Sequence, residues 1–155
     1  MSVLYKKRDN EFCKWSLGST PLLTEIEEKG RKLIISVKCA FGENTEKYYA
    51  LFDTAAEWGV IPQSIVDSNP NCFSSLEIPI KLSSRFGIDE GILHQCSLHI
   101  LVDSGEDIIF EATILAIPGW NGPVVLGFTS LLDKIRWACD PTIDQQGRLY
   151  FGMVE

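Results

Sequence analysis

The sequence predicts an all-β fold, mainly antiparallel, with one short C-terminal helix. Three observations carry that expectation: apolar runs alternating with period two, Gly, Pro, Asn or Asp at nearly every run boundary, and a single segment with helical spacing. The first clear strand is "RKLIISVKCAF" (31–41), rich in branched residues. "GEN" then turns the chain and "EKYYALFD" (46–53) returns, which makes a β-hairpin. Ahead of it, "PLLTEIEEKGRK" carries the Thr24 to Glu27 spacing of a helix cap. Pro21 and Gly30 leave too few residues for a stable helix, so a strand ending in "EEKGRK" is expected instead. "GVIP", "SLEIPIKLSS", "GILHQCSLHILVD", "DIIFEATILAI" and "GPVVLG" continue the strand pattern. The exception is "GFTSLLDKIRWACD" (127–140), where Leu131, Leu132 and Ile135 predict a short helix after Gly127 that ends near Arg136. "IRWACDPTIDQQGRLYFG" closes the sequence as a hairpin around "DPTIDQQG".

Length and composition bound the function classes. The 155 residues are the size of one domain, taken as 1–155 with an N-terminal extension of about 1–20. Hydrophobic residues at 45% beside charged residues at 23% describe a soluble globular chain. The longest apolar stretches reach about half of a membrane span. In "MSVLYKKRDNEFCKW" charges stand where a signal peptide needs its apolar segment, so a cytoplasmic protein with no membrane partner is expected. Cys13, Cys39, Cys72, Cys96 and Cys139 are widely spaced and form no C-x-x-C pair, which argues against a disulfide framework and a zinc ribbon. A net charge of -7 and no basic run longer than Lys6-Lys7-Arg8 make nucleic acid a poor partner. No repeat of solenoid length occurs, although two strand-then-small-turn units, "LFDTAA" and "PVVLGF", have the form of halves of a duplicated domain.

Those two units also carry the chemistry. Leu51-Phe52-Asp53-Thr54-Ala55-Ala56 is followed by Val60-Ile61, and 74 residues after Asp53 comes Gly127, closing Val124-Val125-Leu126-Gly127 before "FTSLLDKI". In this order the motifs resemble the retropepsin-like (retroviral-type) aspartic proteases, over roughly residues 30–152. The resemblance implies a closed, barrel-like acid-protease fold, a homodimer, a peptide or protein substrate and no cofactor. It implies that Asp53 is catalytic, that Thr54, Ala55 and Ala56 form the active-site loop, and that Gly127 is a structural signature. The hairpin "KLSSRFGIDEGILH" (81–94) stands in the place of a substrate-covering flap, with Phe86, Gly87 and Ile88 at its tip. "IPGWNGP" (117–123) matches the loop that walls a specificity pocket, which makes Trp120 an apolar subsite candidate. The chain ends "SVLY" and "RLYFGMVE" are expected to supply strands to the dimer interface, as the family's termini do.

The chemistry has its own logic. A lone aspartate is a feeble base, but two carboxylates forced together cannot both ionise, so the pair shares one proton. The ionised member then activates water while the protonated member polarises a peptide carbonyl. One such motif in 155 residues supplies half of the pair, and a C2 dimer supplies the rest.

Ala55 departs from the family's usual glycine. If the position needs φ > 0, alanine carries a steric penalty; if it needs closeness to substrate, a methyl narrows the cleft. Hence the alternative is a catalytically inactive dimer of the same fold that acts as a peptide-binding or assembly module. A monomeric β-barrel unrelated to proteases, with Asp53 capping a turn, is a third possibility. Asp103-Ser104-Gly105 repeats the motif's form, but "EDIIFEA" after it reads as a hairpin turn. His94 and Cys96 share a strand face while His99 points oppositely, so the three do not converge on a metal. The cysteines lack a base partner and read as inert thiols, and Trp15, Trp58 and Trp137 fit core or interface packing.

Overall fold

A computed structural model describes residues 3–9, 11–26, 33–43, 46–84, 87–140 and 147–154. In chain order the strands are β1 (Tyr5–Arg8), β2 (Glu11–Lys14), β3 (Gly18–Pro21), β4 (Leu23–Ile26), β5 (Leu33–Phe41), β6 (Tyr48–Phe52) and β7 (Gly59–Pro62). After them come β8 (Phe73–Ser84), β9 (Gly87–Leu101), β10 (Ser104–Gly105), β11 (Ile108–Ile117), β12 (Val124–Leu126), β13 (Ile135–Asp140) and β14 (Arg148–Met153). The all-β expectation holds, and so do its two hairpins: β5 pairs β6 and β13 pairs β14, both antiparallel, while β4, the strand expected ahead of them, pairs β5.

Six strands in the order β5-β6-β12-β7-β11-β9 form a sheet that closes on itself, because Lys38–Phe41 of β5 also pair Leu98–Leu101 of β9. Closure removes the free edges that such a sheet would otherwise expose. β4 and β8 extend this barrel at two places, and β10-β3-β14-β13 form a separate sheet of four. The interior is filled by Val37, Phe41, Leu98, Ile100, Ile114 and Leu126 with Leu131 and Phe151, each at most 1% exposed. Side chains of this size contribute roughly 1.5–3 kcal/mol each when fully buried.

Strand β11 shows how the pleat divides the work. Ile108, Phe110, Ala112, Ile114 and Ala116 point into the barrel. On the other face Ile109 and Glu111 meet solvent, whereas Leu115 and Ile117 join a second apolar cluster with Val60 and Leu93. That outer cluster is covered by Trp58, Ile80, Leu82, Trp120 and Val125. The fold therefore has two apolar compartments, one inside the barrel and one under the β8–β9 arm.

The helix expected after Gly127 is a single 3₁₀ turn, Leu132–Lys134. Ser130 takes a positive φ of 57°, and the backbone bonds from Leu132 to Gly127 and from Asp133 to Phe128 span five residues, too wide for an α-turn. Leu131, Leu132 and Ile135 are all buried, as the spacing requires, but Ile135 already opens β13. The one α-helix among the described residues, α1 (Gln63–Ser68), follows β7. Six residues with Ile65 and Val66 as its buried pair are too few to register as a helical stripe.

Candidate functional site

Asp53 leaves the end of β6 and begins a turn that runs into β7. β6 and β7 are not neighbours. β12 lies between them, parallel to β6 through Val124–Leu126 against Ala50–Phe52, and antiparallel to β7 through Val125 and Val60. The two motifs seen in the sequence thus form one unit, in which the strand ending at Gly127 separates the strands on either side of the Asp53 turn.

Backbone hydrogen bonds hold this unit. The Asp53 N–H donates to the Leu126 carbonyl at 3.0 Å, Phe128 N–H to Ala56 at 2.8 Å, and Thr129 N–H to Glu57 at 2.8 Å. Gly127 is glycine for closeness and not for conformation, since its φ lies outside the left-handed region. A Cβ there would overlap the Trp58 carbonyl and the Gly59 nitrogen. Only a hydrogen at this position lets the two segments lie in backbone contact.

The carboxylate is oriented by its own loop: the Ala55 N–H donates to Asp53 Oδ1 at 2.9 Å, and the Ala56 N–H donates to the Asp53 carbonyl at 3.3 Å. An N–H two residues on is a short local clamp that leaves Oδ2 for other partners. Asp53 is half-buried, Thr54 and Ala55 are exposed and Ala56 is half-buried. Among the described non-glycine residues only Asp9, Glu77 and Ser130 take positive φ, so Ala55 carries no left-handed strain.

The flap candidate is an extended arm. Pro79–Ser84 pair Ile92–Gly87 in an antiparallel ladder, preceded by an irregularity between Ser75 and Pro79 where Glu77 has a φ of 57°. Gly87 and Ile88 are exposed at the far end, Ile88 to 73%, and Phe86 lies outside the described residues. The arm residues that reach the body are Ile80 and Leu82, which pack against the outer cluster. Trp120 packs there too, its Nε1–H fixed to the Pro123 carbonyl at 2.9 Å. Trp58, five residues beyond Asp53 in sequence, and Val125, which pairs Leu51, complete this half-exposed apolar surface.

The structure therefore joins Asp53, Thr54, Ala55, Ala56 and Gly127 in one unit, packs Trp120 against the outer apolar cluster, and leaves Gly87 and Ile88 at the solvent end of the arm. The sequence reading does not single out Ile80 and Leu82, although alternation in "IPIKLSS" carries the signal. The second Asp-Ser-Gly is a structural turn: Ser104 and Gly105 pair β3, Asp103 Oδ2 accepts from Thr20 Oγ1 at 2.5 Å, and Asp107 Oδ1 accepts from the Val102 N–H at 2.9 Å.

Burial pushes the Cys39 thiol up to about 12, and burial followed by Glu111, Cys39 and Cys72 raises Cys96 to about 12. Burial, then Asp140, raises Cys139 as well. These thiols stay protonated at neutral pH and make poor nucleophiles, including Cys96 in the 490 Å³ cavity it lines with Cys72, Gln95 and Glu111. Among the described residues no group of three or more His, Cys, Asp or Glu side chains is placed to hold a metal ion, and no helix is long and apolar enough to cross a membrane. A comparison with protein-family models finds no match to the chain, and a comparison with curated proteins finds none either.

Proposed function

We propose that this chain is a retropepsin-like aspartic endopeptidase that works as a homodimer, with Asp53 of each copy forming one half of a proton-sharing pair. The observation that carries the reading is the insertion of β12 between β6 and β7, which fixes the Asp53 turn to the Gly127 turn through backbone bonds. A turn-capping aspartate needs no such brace. A carboxylate that must meet a second one at hydrogen-bonding distance does, because misplacement by a fraction of an ångström uncouples the pair.

The roles follow from position. In the dimer the Asp53 pair carries one proton; the ionised member takes a proton from water as it attacks the scissile carbonyl, and the other donates to the carbonyl oxygen. The Ala55 N–H orients the carboxylate. Ile80, Leu82, Trp58, Trp120 and Val125 offer an apolar wall to side chains of an extended peptide, and the β8–β9 arm supplies the covering element. The substrate is accordingly a peptide or protein with apolar residues near the cut.

The alternative of an inactive peptide-binding dimer rests on Ala55, an exposed residue of the turn that stands where the family usually has glycine. The deciding experiment is turnover of a mixed peptide library at mildly acidic pH by the wild type and Asp53→Asn. Cleavage lost in the variant, with circular dichroism unchanged, supports the peptidase. Cleavage that persists eliminates the mechanism, and peptide binding without turnover in the wild type favours the inactive module.

A further inference from the structure

The 490 Å³ cavity that Cys72 and Glu111 line lies apart from the Asp53 turn. Ser36 pairs Leu51 and Cys39 pairs Tyr48, so Asp53 follows one end of the β5–β6 hairpin while Gly42 and Glu43 follow the other. The pleat builds the floor of the cavity. Ser74 pairs Gln95, Glu111 pairs Ser97, and Gln95 and Ser97 stand two apart on β9, which puts all four on one face of three adjacent strands. That face is the outer one, because the alternate residues Phe73, Cys96 and Ala112 belong to the barrel core. Two segments rise beside this floor. Gly42 and Glu43 continue β5, tied down by the Gly42 N–H, which donates to the Ser97 carbonyl at 2.8 Å. Asn71 and Cys72 come from the 3₁₀ turn Pro70–Cys72 that precedes β8.

The lining selects its ligand by charge. It holds the carboxylates of Glu43 and Glu111, the amides of Asn71 and Gln95, and two serine hydroxyls, with no lysine, arginine, histidine or aromatic residue. Anions are therefore repelled, and no ring offers a base a stacking surface. The nearest basic groups are held outside the lining: Lys134 Nζ donates to the Glu111 main-chain carbonyl at 2.9 Å, and His99 Nε2 lies 3.5 Å from Ser97 Oγ. Among the described residues neither carboxylate is paired with a cation. The volume lies within the roughly 300–1,000 Å³ of small-molecule sites.

We infer that this cavity binds a guanidinium group, carried either by a free arginine-type compound or by an arginine side chain of a peptide. The planar cation presents five N–H donors in a fixed fork, which carboxylates and amide carbonyls accept; an ammonium presents three donors on a compact, strongly hydrated centre and gains less. Glu43 and Glu111 are exposed, so solvent screens the attraction and dissociation is expected at about 1 mM. The inference does not rest on the reading of Asp53.

The experiment titrates the full chain, at neutral pH and low salt, with L-arginine, its neutral isostere L-citrulline, L-lysine, and an acetylated tripeptide amide with a central arginine. Amide chemical shifts report binding. Saturable shifts at Gln95, Ser97 and Glu111 are expected with arginine, with citrulline and lysine weaker by roughly tenfold. Glu43→Gln and Glu111→Gln should each weaken arginine binding by roughly threefold to tenfold, whereas Glu11→Gln, which removes the same charge on β2, should leave it unchanged. Cys72 gives a second readout: arginine should slow its alkylation by iodoacetamide in step with occupancy and leave that of exposed Cys139 unaltered. Tighter binding of the tripeptide than of arginine assigns the site to a peptide side chain; equal or weaker binding assigns it to the free compound. No saturation up to about 50 mM arginine, an equal response to citrulline or lysine, or binding indifferent to both carboxylate variants overturns the inference. Asp53→Asn should bind arginine as the wild type does, so failure here and failure of the peptidase reading are separate results.

Discussion

Gly127→Ala tests the brace around Asp53 most directly. The added Cβ would fall on the Trp58 carbonyl and the Gly59 nitrogen, which are backbone atoms that no rotamer change can move aside. Gly127 does not occupy the left-handed region, so the loss measures overlap alone. Overpacking usually costs about 1–3 kcal/mol, and clash with backbone places this site at the upper end. For a domain of this size about 3 kcal/mol lowers Tm by roughly 6–12 °C. Gly119→Ala is the matched control: its φ of +73° is unfavourable to alanine, but its Cβ would meet nothing within 4 Å. That change should cost about 1 kcal/mol, or roughly 2–4 °C. Melting followed by circular dichroism gives both numbers, and amide exchange gives the mechanism. If the brace loosens, the Asp53 and Phe128 N–H groups, which bond across to Leu126 and Ala56, should exchange faster in Gly127→Ala only. Equal losses in the two variants, or protection unchanged at Asp53, would refute the argument that this glycine exists to hold the carboxylate.

Ala55→Gly should destabilise slightly, by about 0.5–1 kcal/mol in urea unfolding, because Ala55 is not strained and glycine only adds unfolded-state freedom; a stabilised variant would show that the turn does want positive φ. Phe52 and Trp137 should be coupled by about 0.5–1.5 kcal/mol in a double-mutant cycle of Phe52→Leu and Trp137→Leu, measured by denaturant unfolding; additive losses would deny the ring contact. The buried Cys39 thiol is raised from 9.0 to about 12, so its protonated form contributes stability that is fully present below pH 9 and lost as pH rises toward 12. The wild type should therefore lose more stability across that window than Cys39→Ala, whose own deficit at neutral pH should be constant; parallel curves would contradict the thiol's burial.

The parts of this molecule that were legible in the sequence are those where one local signal suffices. Period-two alternation located the strands, and hairpin neighbours such as β5 and β6 followed from short turns. The helix after Gly127 was misplaced because Leu131, Leu132 and Ile135 do need burial, yet they obtain it from a wide turn through Ser130 instead of a helical stripe. The β8–β9 arm illustrates a different limit. Gly87 marks its far end in the sequence, but contact with the body depends on how the arm folds back, and that selects Ile80 and Leu82.

The same distinction between local and non-local signals bears on Ala55. A motif compared letter by letter treats alanine for glycine as damage. In the folded chain two demands that glycine can meet are separated: close backbone approach is required at Gly127, where the Trp58 carbonyl leaves no room, and not at Ala55, which lies exposed with an ordinary φ and a free N–H to give Asp53 Oδ1. The loop therefore keeps the backbone donor that orients the carboxylate. On the peptidase reading proposed above, residue 55 would act through its clearance from a bound peptide, which would make its identity a matter of substrate choice before it is a matter of catalytic competence.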